Sequence, residues 1–458
     1  MSAAHQASTA SGARLASHRE VLRLAVPIML SNLSTPLLGI VDTAVVGRIP
    51  DPAHVGAVAL GALVFSFVFW GFGFLRMGTT GLTAQALGAA DEREVRATLV
   101  RALLVAAGCG TVLVALQWPI RALAFTLLEG SDEVEALGRA YFDRRIFSAP
   151  ATLTSYALLG WFVGLGRTGT ALALQLVLNV TNMALDALFV LGLGWGVEGV
   201  ALGTLAAEWT AAIVGVVVAF AALRQRGSRS VDWERVLDRE RVKRTFAVSG
   251  DIMIRSLALV FVFVFFMAQG AAMGDLRLAA NAVLLQFVDA SAYFLDGLAF
   301  AAEALVGRAV GARSRPALLH AMRRTTLWAA GLAFVASALL FGFGDTFIRW
   351  MVVDPETREA AARFLPWAAA APIAGVWCFQ LDGIFIGATR TAEMRNAMVA
   401  TLGLFLAAWW LLRPWGNHGL WAALHISYLA RTVTLGAYLP RLTRLRHPGG
   451  AIPPSSPS

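Results

Sequence analysis

Long, uninterrupted apolar runs constrain the fold of this chain more than any other feature of its sequence. A helix needs roughly 20 residues to cross the hydrocarbon core of a bilayer, and twelve runs come close to or exceed that length. Only 15% of the 458 residues are charged, against about 25% in soluble proteins. The sequence therefore predicts an all-α membrane protein with twelve transmembrane helices. The predicted spans are 21–46, 55–80, 97–118, 139–165, 170–194, 198–222, 246–271, 279–307, 321–344, 364–388, 396–413 and 418–440.

The spans fall into two sets of six that resemble each other. The most polar internal segment, 223–245, separates the sets, and several residues recur at an offset of about 223 residues. Gly160, Gly164, Arg167 and Thr168 recur as Gly383, Gly387, Arg390 and Thr391. Parallel six-plus-six repeats are typical of transporters that alternate access around a central cavity. We expect an N-terminal tail (1–20), an N-lobe bundle (21–222), a linker (223–245), a C-lobe bundle (246–440) and a C-terminal tail (441–458).

Basic residues predict the orientation in the membrane. The net charge is +9, which by itself would also be compatible with nucleic-acid binding. The basic residues gather at span ends, however. The termini, the linker and the other segments on the same side of the membrane hold more than twice as many of them as the segments on the opposite side. Positive charge accumulates on the cytoplasmic side of membrane proteins. We therefore expect a multi-pass protein of the inner (plasma) membrane with both termini in the cytoplasm and no nucleic-acid partner.

Asp42 in span one heads a group of polar residues in the first six spans. A carboxylate in an apolar span costs roughly 2.5–3.5 kcal/mol on insertion scales, so its presence needs an explanation. The spacing of three and four residues along span five predicts one polar helix face, and span six repeats the spacing of four. The group comprises Asp42, Tyr141, Asp143, Asn179, Asn182, Asp186, Thr204 and Glu208.

We expect Asp42 and Asp186 to be unpaired, because no basic residue of the first half is predicted at their depth. An unpaired carboxylate in a low-dielectric site becomes protonatable near neutral pH. The group could therefore bind a proton or a small cation through its oxygen atoms. The alternative for Asn179 and Asn182 is that they only join neighbouring helices by hydrogen bonds.

The second half carries a different pattern. Phe265 stands where the offset predicts a counterpart of Asp42, and span seven instead contains Arg255. An intramembrane arginine needs acidic partners. The candidate partners of Arg255 are Asp251, Asp296, Glu303 and Asp382. The resulting charge network is either structural or a substrate or proton site.

Two prolines in span one, Pro27 and Pro36, each remove a helix hydrogen bond and can kink the helix. A kink beside Asp42 could act as a gate, although prolines are common in membrane helices. No nucleotide-binding, hydrolase or metalloprotease motif occurs in the sequence, so we expect neither an enzyme nor a cofactor. Transport would then be secondary and driven by an ion.

Several segments together resemble the multidrug and toxic compound extrusion (MATE) family, in its DinF-like branch. They are Val41-Asp42-Thr43, Gly81-Leu82-Thr83-Ala84-Gln85, Phe300-Ala301-Ala302-Glu303, Leu381-Asp382-Gly383 and Gly416-Asn417-His418-Gly419-Leu420-Trp421. The resemblance implies an antiporter that exports organic, often cationic and amphipathic compounds as a cation enters. It also implies an N-lobe cation pocket formed by Asp42, Tyr141, Asn182, Asp186 and Thr204.

The resemblance leaves the coupling ion open between H⁺ and Na⁺. Some relatives hold sodium with acids in spans seven and ten. Asp382 fits the second of these, but span seven of this chain offers Arg255 together with Asp251, which favours protons. We expect small organic substrates, a lipid bilayer environment and a monomer. Two rival functions are a lipid or glycolipid flippase, which predicts an arginine-lined cavity, and a membrane scaffold that transports nothing.

Overall fold

The regular structure of the chain is helical. The computed structural model describes residues 15–49, 51–128, 131–226 and 230–443, and no strand occurs in these ranges. Residues 1–14, 227–229 and 444–458 of the predicted tails and linker lie outside the described residues. In chain order the α-helices are α1 (His18–Val46), α2 (Pro52–Trp70), α3 (Phe74–Gly88), α4 (Glu92–Ala115), α5 (Gln117–Leu127), α6 (Asp132–Arg145), α7 (Ala149–Gly164), α8 (Thr168–Asp186), α9 (Gly196–Gln225), α10 (Trp233–Val236), α11 (Arg239–Ala272), α12 (Asp275–Gly311), α13 (Arg315–Met351), α14 (Pro355–Gly387), α15 (Thr391–Leu412), α16 (Asn417–Gly436) and α17 (Leu439–Thr443).

The helices confirm the predicted all-α fold with twelve spans. Among the described residues, eleven stretches are long and apolar enough to cross a membrane, and they match predicted spans one to eleven. Span two consists of α2 and α3, and span four of α6 and α7. The twelfth span is α16, a helix of 20 residues that packs against α14 and α15.

Helix α1 is continuous over both prolines that were predicted to form a gating kink. The Ser17 side chain caps the helix by accepting a hydrogen bond from the backbone N–H of Glu20 (3.1 Å). Pro27 and Pro36 lie inside the helix and interrupt its hydrogen-bond ladder without ending it. The gating role of the two prolines stays a prediction.

The repeat predicted from the sequence has a direct structural counterpart. Gly88 at the end of α3 packs against the backbone carbonyl of Arg308 on α12, while Gly311 at the end of α12 packs against the backbone carbonyl of Gln85 on α3. The two contacts are related by exchange of the halves, and a Cβ atom at either glycine would collide with the opposing backbone. The turns that follow are also equivalent, since Ala90 (φ 55°) and Arg313 (φ 52°) both adopt the left-handed conformation.

The two halves contact each other where α1 begins and α16 ends, at the end of the bundle here called the terminal end. Gln85 Nε2 donates to the backbone carbonyl of Gly387 (3.0 Å) from the first half to the second. Arg308 Nη2 donates to the carbonyl of Leu165 (2.9 Å) from the second half to the first. These two bonds, here called the latches, join the two halves at the terminal end.

The segment between the halves is fastened to the first half. Arg101 on α4 donates to the carbonyls of Val236 (3.1 Å) and Arg235 (3.0 Å), and Arg235 pairs with Glu94 on α4 (3.1 Å). Arg101 is only 5% exposed, so it satisfies the last carbonyls of the short helix α10 in a dry setting. The path from α9 to α11 therefore runs along α4.

Candidate functional site

Two predicted acids from different spans meet inside the first half. Asp42 on α1 and Asp186 at the end of α8 lie within hydrogen-bonding reach of each other. Asp186 is fully buried, and a short π-helix, Ala187–Gly192, follows it directly. Such local widenings of a helix are frequent at functional sites. The two carboxyls, here called the carboxyl pair, form the centre of the candidate site.

The polar stripe of α8 supplies the carboxyl pair with a single side-chain donor. Asn182 Nδ2 donates to Asp186 Oδ2 (2.7 Å) and lies 3.5 Å from Thr204 Oγ1 on α9. Thr204 donates its own hydrogen to the carbonyl of Val200 (3.0 Å), so it offers only lone pairs to the site. Of the residues predicted for the cation pocket, Asn182, Asp186 and Thr204 on α8 and α9 are buried, and Asp42 on α1 is partly exposed.

The site has more acceptors than donors. Asp42 Oδ1, Asp186 Oδ1 and Asn182 Oδ1 are all buried, and none of them has a hydrogen-bond partner. Buried acceptors without partners are costly, and they occur where a proton, ion or water completes the arrangement. Oxygen acceptors alone suit a proton or a hard cation. Among the described residues, no group of three or more His, Cys, Asp or Glu side chains forms a metal site.

A glycine on α9 makes room for the buried carboxyl. A Cβ atom at Gly203 would collide with Asp186 Oδ1, so α9 can approach α8 this closely only because residue 203 lacks a side chain. The sequence analysis did not single out Gly203. Its neighbour Thr204 faces Asn182, which places both residues on the side of α9 that meets α8.

Arg145 lies at the candidate site although it was not among the predicted site residues, and it corrects the prediction that the first-half acids have no basic neighbour. Arg145 Nη1 donates to the hydroxyl of Tyr141 (2.7 Å), and its Nη2 lies 3.7 Å from Glu208 Oε1. Its charge also acts on Asp42 and Asp186. The arginines were expected at span ends, but Arg145 lies one turn after Tyr141 on the same helix face and donates to its hydroxyl. That spacing was the available signal.

Asn179 has the joining role that was its alternative reading. Its Nδ2 donates to the carbonyl of Ser34 on α1 (3.3 Å), and its Oδ1 accepts from Gln175 (2.9 Å). Asn179 therefore binds α8 to α1 one turn before Asn182. The contact holds the two helices that carry Asp186 and Asp42.

The equivalent place in the second half is aromatic. The ring of Phe265 contacts those of Phe405 (centroids 5.6 Å apart) and Trp409 (6.5 Å apart). These are the residues that the repeat aligns with Asp42, Asn182 and Asp186. The candidate cation site is therefore a feature of the first half.

The acids of the second half have cationic partners, but not all of those that were predicted. Asp382 accepts from both Arg255 and Arg431, and each of these three side chains is buried. The local pair of Asp251 with Arg255 was wrong, since Asp251 pairs with Arg395 (2.6 Å). Arg431 had not been predicted as a member of this network. It joins the network because the buried carboxylate of Asp382 accepts hydrogen bonds from two guanidinium groups.

The two remaining predicted acids lie close to the boundary between the halves. Glu303 pairs with Arg76 (3.2 Å) across that boundary, and the Arg76 guanidinium stacks on the Phe300 ring (3.7 Å). Asp296 is half-buried, and the charges of Arg76, Arg255 and Arg431 act on it. Glu303, a candidate partner of Arg255, makes its ion pair with Arg76, and its charge acts on Arg255 without a direct contact.

Comparison with known proteins identifies the family. The family model described as MatE matches residues 27–188 and again residues 252–409, once in each half. The chain belongs to the MatE family. It is 40% identical over 423 residues to DNA damage-inducible protein F of Escherichia coli (strain K12), with 92% of each chain covered. It is 27% identical over 428 residues to a probable multidrug resistance protein NorM of Caulobacter vibrioides, covering 87% of this chain and 85% of that one.

A solved structure supports the same fold for this MatE protein. The chain matches a structure described as the outward-facing conformation of a multidrug resistance MATE family transporter of the MOP superfamily. The TM-score is 0.83 at 18% identity, with 93% of this chain and 96% of that chain covered. The predicted resemblance to the MATE family and its DinF-like branch is confirmed. Its relatives are membrane transporters and not enzymes, as predicted.

This MatE protein also contains a cavity of about 700 Å³, lined by residues of the first half and by Tyr293 of the second half. This volume lies within the range of small-molecule sites, roughly 300–1,000 Å³. Most of the lining is apolar or aromatic, and Arg145 and Glu208 are the charged residues that line it among the described residues. Arg145 therefore lines the cavity and also acts through its charge on the carboxyl pair. The aromatic lining residues are Phe65, Phe67, Phe69, Trp70, Tyr156 and Tyr293.

Proposed function

We propose that the protein is a secondary antiporter that exports organic, often cationic and amphipathic compounds in exchange for protons. One observation carries the proposal: Asp42 and Asp186 meet, and each leaves a buried Oδ1 without a donor. Two ionised carboxyls at this distance repel each other, and one shared proton would supply the missing donor to both. Membership of a multidrug efflux transporter family supports an efflux role.

The coupling step follows from where the two acids lie. Asp42 is on α1 and Asp186 is on α8. Proton uptake would therefore remove the repulsion between the two carboxylates and let the two helices move closer together. Pro27 and Pro36 weaken the hydrogen-bond ladder of α1, which makes this helix the easier one to bend. Bending of α1 toward the cavity would displace a bound substrate.

We place the terminal end, with both chain termini, on the cytoplasmic face of the inner (plasma) membrane, because basic residues are concentrated at that end. In this orientation the latches close the cytoplasmic side. The first half (21–222) and the second half (246–440) would then move as two lobes within one monomer, since both lobes come from a single chain. Neither a cofactor nor ATP is needed for such a cycle.

Proteoliposomes containing the purified full chain test the proposal. An imposed pH gradient should drive transport of a cationic dye such as ethidium, whereas a sodium gradient alone should not. Asp42→Asn and Asp186→Asn should each abolish the pH-driven component. The matched control is Asp143→Asn, which changes an acid of span four that pairs with Arg121 (2.5 Å) outside the site.

The sodium alternative and the flippase alternative give different results in the same vesicles. Transport driven by sodium without a pH gradient would assign the acceptor oxygens of Asp42, Asp186 and Asn182 to Na⁺. Full pH-driven transport by Asp42→Asn would contradict the proposal outright. A flippase would translocate labelled lipid, but the cavity has one arginine among its described lining residues and not the arginine lining which that function predicts.

A further inference from the structure

Glu208 is positioned to recognise a positive charge in the cavity. It is 6% exposed, it lines the cavity, and it accepts a hydrogen bond from the Thr152 hydroxyl. The ion pair with Arg145 is loose at 3.7 Å. Aromatic rings surround the same space, and such rings attract organic cations through their negatively polarised faces. A buried carboxylate within an aromatic enclosure is the arrangement that binds an organic monocation.

Arg145 lies between Glu208 and the carboxyl pair. Its Nη1 faces Tyr141, its Nη2 faces Glu208, and its Nε is buried with no partner. Its charge acts on Asp42 and Asp186 as well. One guanidinium thus serves three carboxyls, so it cannot compensate the carboxyl pair and Glu208 fully at the same time.

We propose that Glu208 is the cation-recognition residue of the cavity and that Arg145 is a counter-ion shared between Glu208 and the carboxyl pair. An organic cation at Glu208 releases Arg145 toward Asp42 and Asp186, which stabilises their ionised form. A proton on the carboxyl pair returns Arg145 to Glu208, which displaces the cation. The proposal rests on the proposed function, because it explains how proton and substrate exclude each other.

Five of the helices around Arg145 contribute a charged or titratable group to its surroundings, whereas α2 contributes the ring of Phe65 (4.8 Å from the guanidinium). These groups are Asp42 from α1, Tyr141 from α6, Tyr156 from α7, Asp186 from α8 and Glu208 from α9. Arg76 on α3 also acts on Tyr156, but its carboxylate partner is Glu303. The acids that compete for Arg145 are therefore Asp42, Asp186 and Glu208.

Binding of tetraphenylphosphonium to the purified full chain in detergent tests the proposal, with tetraphenylborate as the anion of the same shape. Wild-type protein should prefer the cation, and its affinity should fall about fivefold or more from pH 8 to pH 6. Glu208→Gln should lose about tenfold or more of the cation affinity and the preference over the anion. Arg145→Gln should bind the cation more tightly and with a weaker pH dependence.

A neighbouring ion pair provides matched controls. Glu198 on α9 pairs with Arg144 on α6 (3.2 Å), and both side chains are exposed. Glu198→Gln and Arg144→Gln should bind tetraphenylphosphonium like the wild type. If Glu208→Gln does not fold, the double variant Arg145→Met with Glu208→Gln removes both charges together and should also show no cation preference.

Two results would overturn the inference. One is an unchanged cation preference in Glu208→Gln or in the double variant. The other is an unchanged pH dependence of binding in Arg145→Gln. Failure of the proposed function would give a different result: proteoliposomes would show no pH-driven transport, both with the wild type and with Glu208→Gln.

Discussion

Asp42 and Phe265 occupy equivalent positions in the two halves of the molecule, and their contacts have opposite chemistry. Asp42 meets the carboxyl of Asp186, whereas Phe265 meets the rings of Phe405 and Trp409. The repeat therefore preserves the packing of spans one and five but replaces a polar contact by an apolar one. In a duplicated fold, one half can therefore carry the polar candidate site while the equivalent position of the other half is an apolar packing contact.

Truncation of the aromatic group should affect stability and not coupling. Phe405 is fully buried, and Phe→Ala in a core costs roughly 3–5 kcal/mol. Phe405→Ala should lower the thermal unfolding temperature of the purified protein while the remaining folded protein keeps its pH-driven transport. Asp186→Asn should give the reverse, with normal unfolding and no pH-driven transport. A loss of proton dependence in Phe405→Ala without a change in unfolding would contradict this division.

A methyl group at Gly203 should disable the carboxyl pair. The added Cβ atom would collide with Asp186 Oδ1, so the carboxyl or α9 must move. A displacement of about 1 Å in a functional site can cost roughly a hundredfold in rate. Gly203→Ala should therefore abolish most pH-driven transport, even though Gly→Ala within a helix adds stability of about 0.5–1 kcal/mol.

The control for Gly203→Ala is Gly403→Ala on α15, where a Cβ atom would meet open space. This variant should transport like the wild type. Equal transport rates in both variants would mean that the position of Asp186 is not critical.

Local spacing along the sequence was enough to find most of the site. Asn182 and Asp186 lie four residues apart on one helix, and the structure brings them together with Thr204 as that spacing predicts. The same reasoning failed for Arg145, because a charged residue near a predicted span end was assigned to the solvent. Whether such a side chain turns inward depends on neighbouring helices, here on Glu208 of α9.

Partners in the second half could not be predicted from spacing. Asp251 and Arg255 are four residues apart, and a local pair of this kind contributes only about 0.3–0.5 kcal/mol. Buried Asp382 attracts Arg255 far more strongly than a local partner does, and Asp251 is left to Arg395 at the terminal end. Such choices depend on three-dimensional burial, which a single sequence does not reveal.

Removal of Asp382 should destabilise the protein more than removal of Arg431. Asp382→Asn leaves two buried guanidinium groups without a carboxylate, and breaking a buried ion pair costs roughly 3–5 kcal/mol. Arg431→Met leaves the pair of Arg255 with Asp382 intact, so its cost should be smaller. Thermal unfolding of the two purified variants measures the difference. A lower unfolding temperature for Arg431→Met than for Asp382→Asn would contradict the assignment of Asp382 as the shared acceptor.

The two latches should each stabilise the closed state of the terminal end, and their contributions to its free energy should add. Gln85→Ala removes the bond to Gly387 together with the side-chain bonds to Thr389 and Arg244, and Arg308→Ala removes the bond to Leu165 together with the pair to Glu20. A hydrogen bond contributes about 1 kcal/mol, so each variant should raise the population of the open state by about fivefold or more. The two bonds share no partner, so the double variant should show the product of the two single effects.

Spin labels at exposed positions of the two halves, Arg93 and Ala312, report opening of the terminal end as a longer distance by double electron–electron resonance. Cys109 and Cys378 are replaced by alanine beforehand. Arg315→Ala is the control, because Arg315 donates to the Thr443 carbonyl (3.1 Å) within the second half. It should leave the distance distribution unchanged. An unchanged distribution in the double latch variant would mean that glycine packing, and not Gln85 and Arg308, holds the terminal end closed.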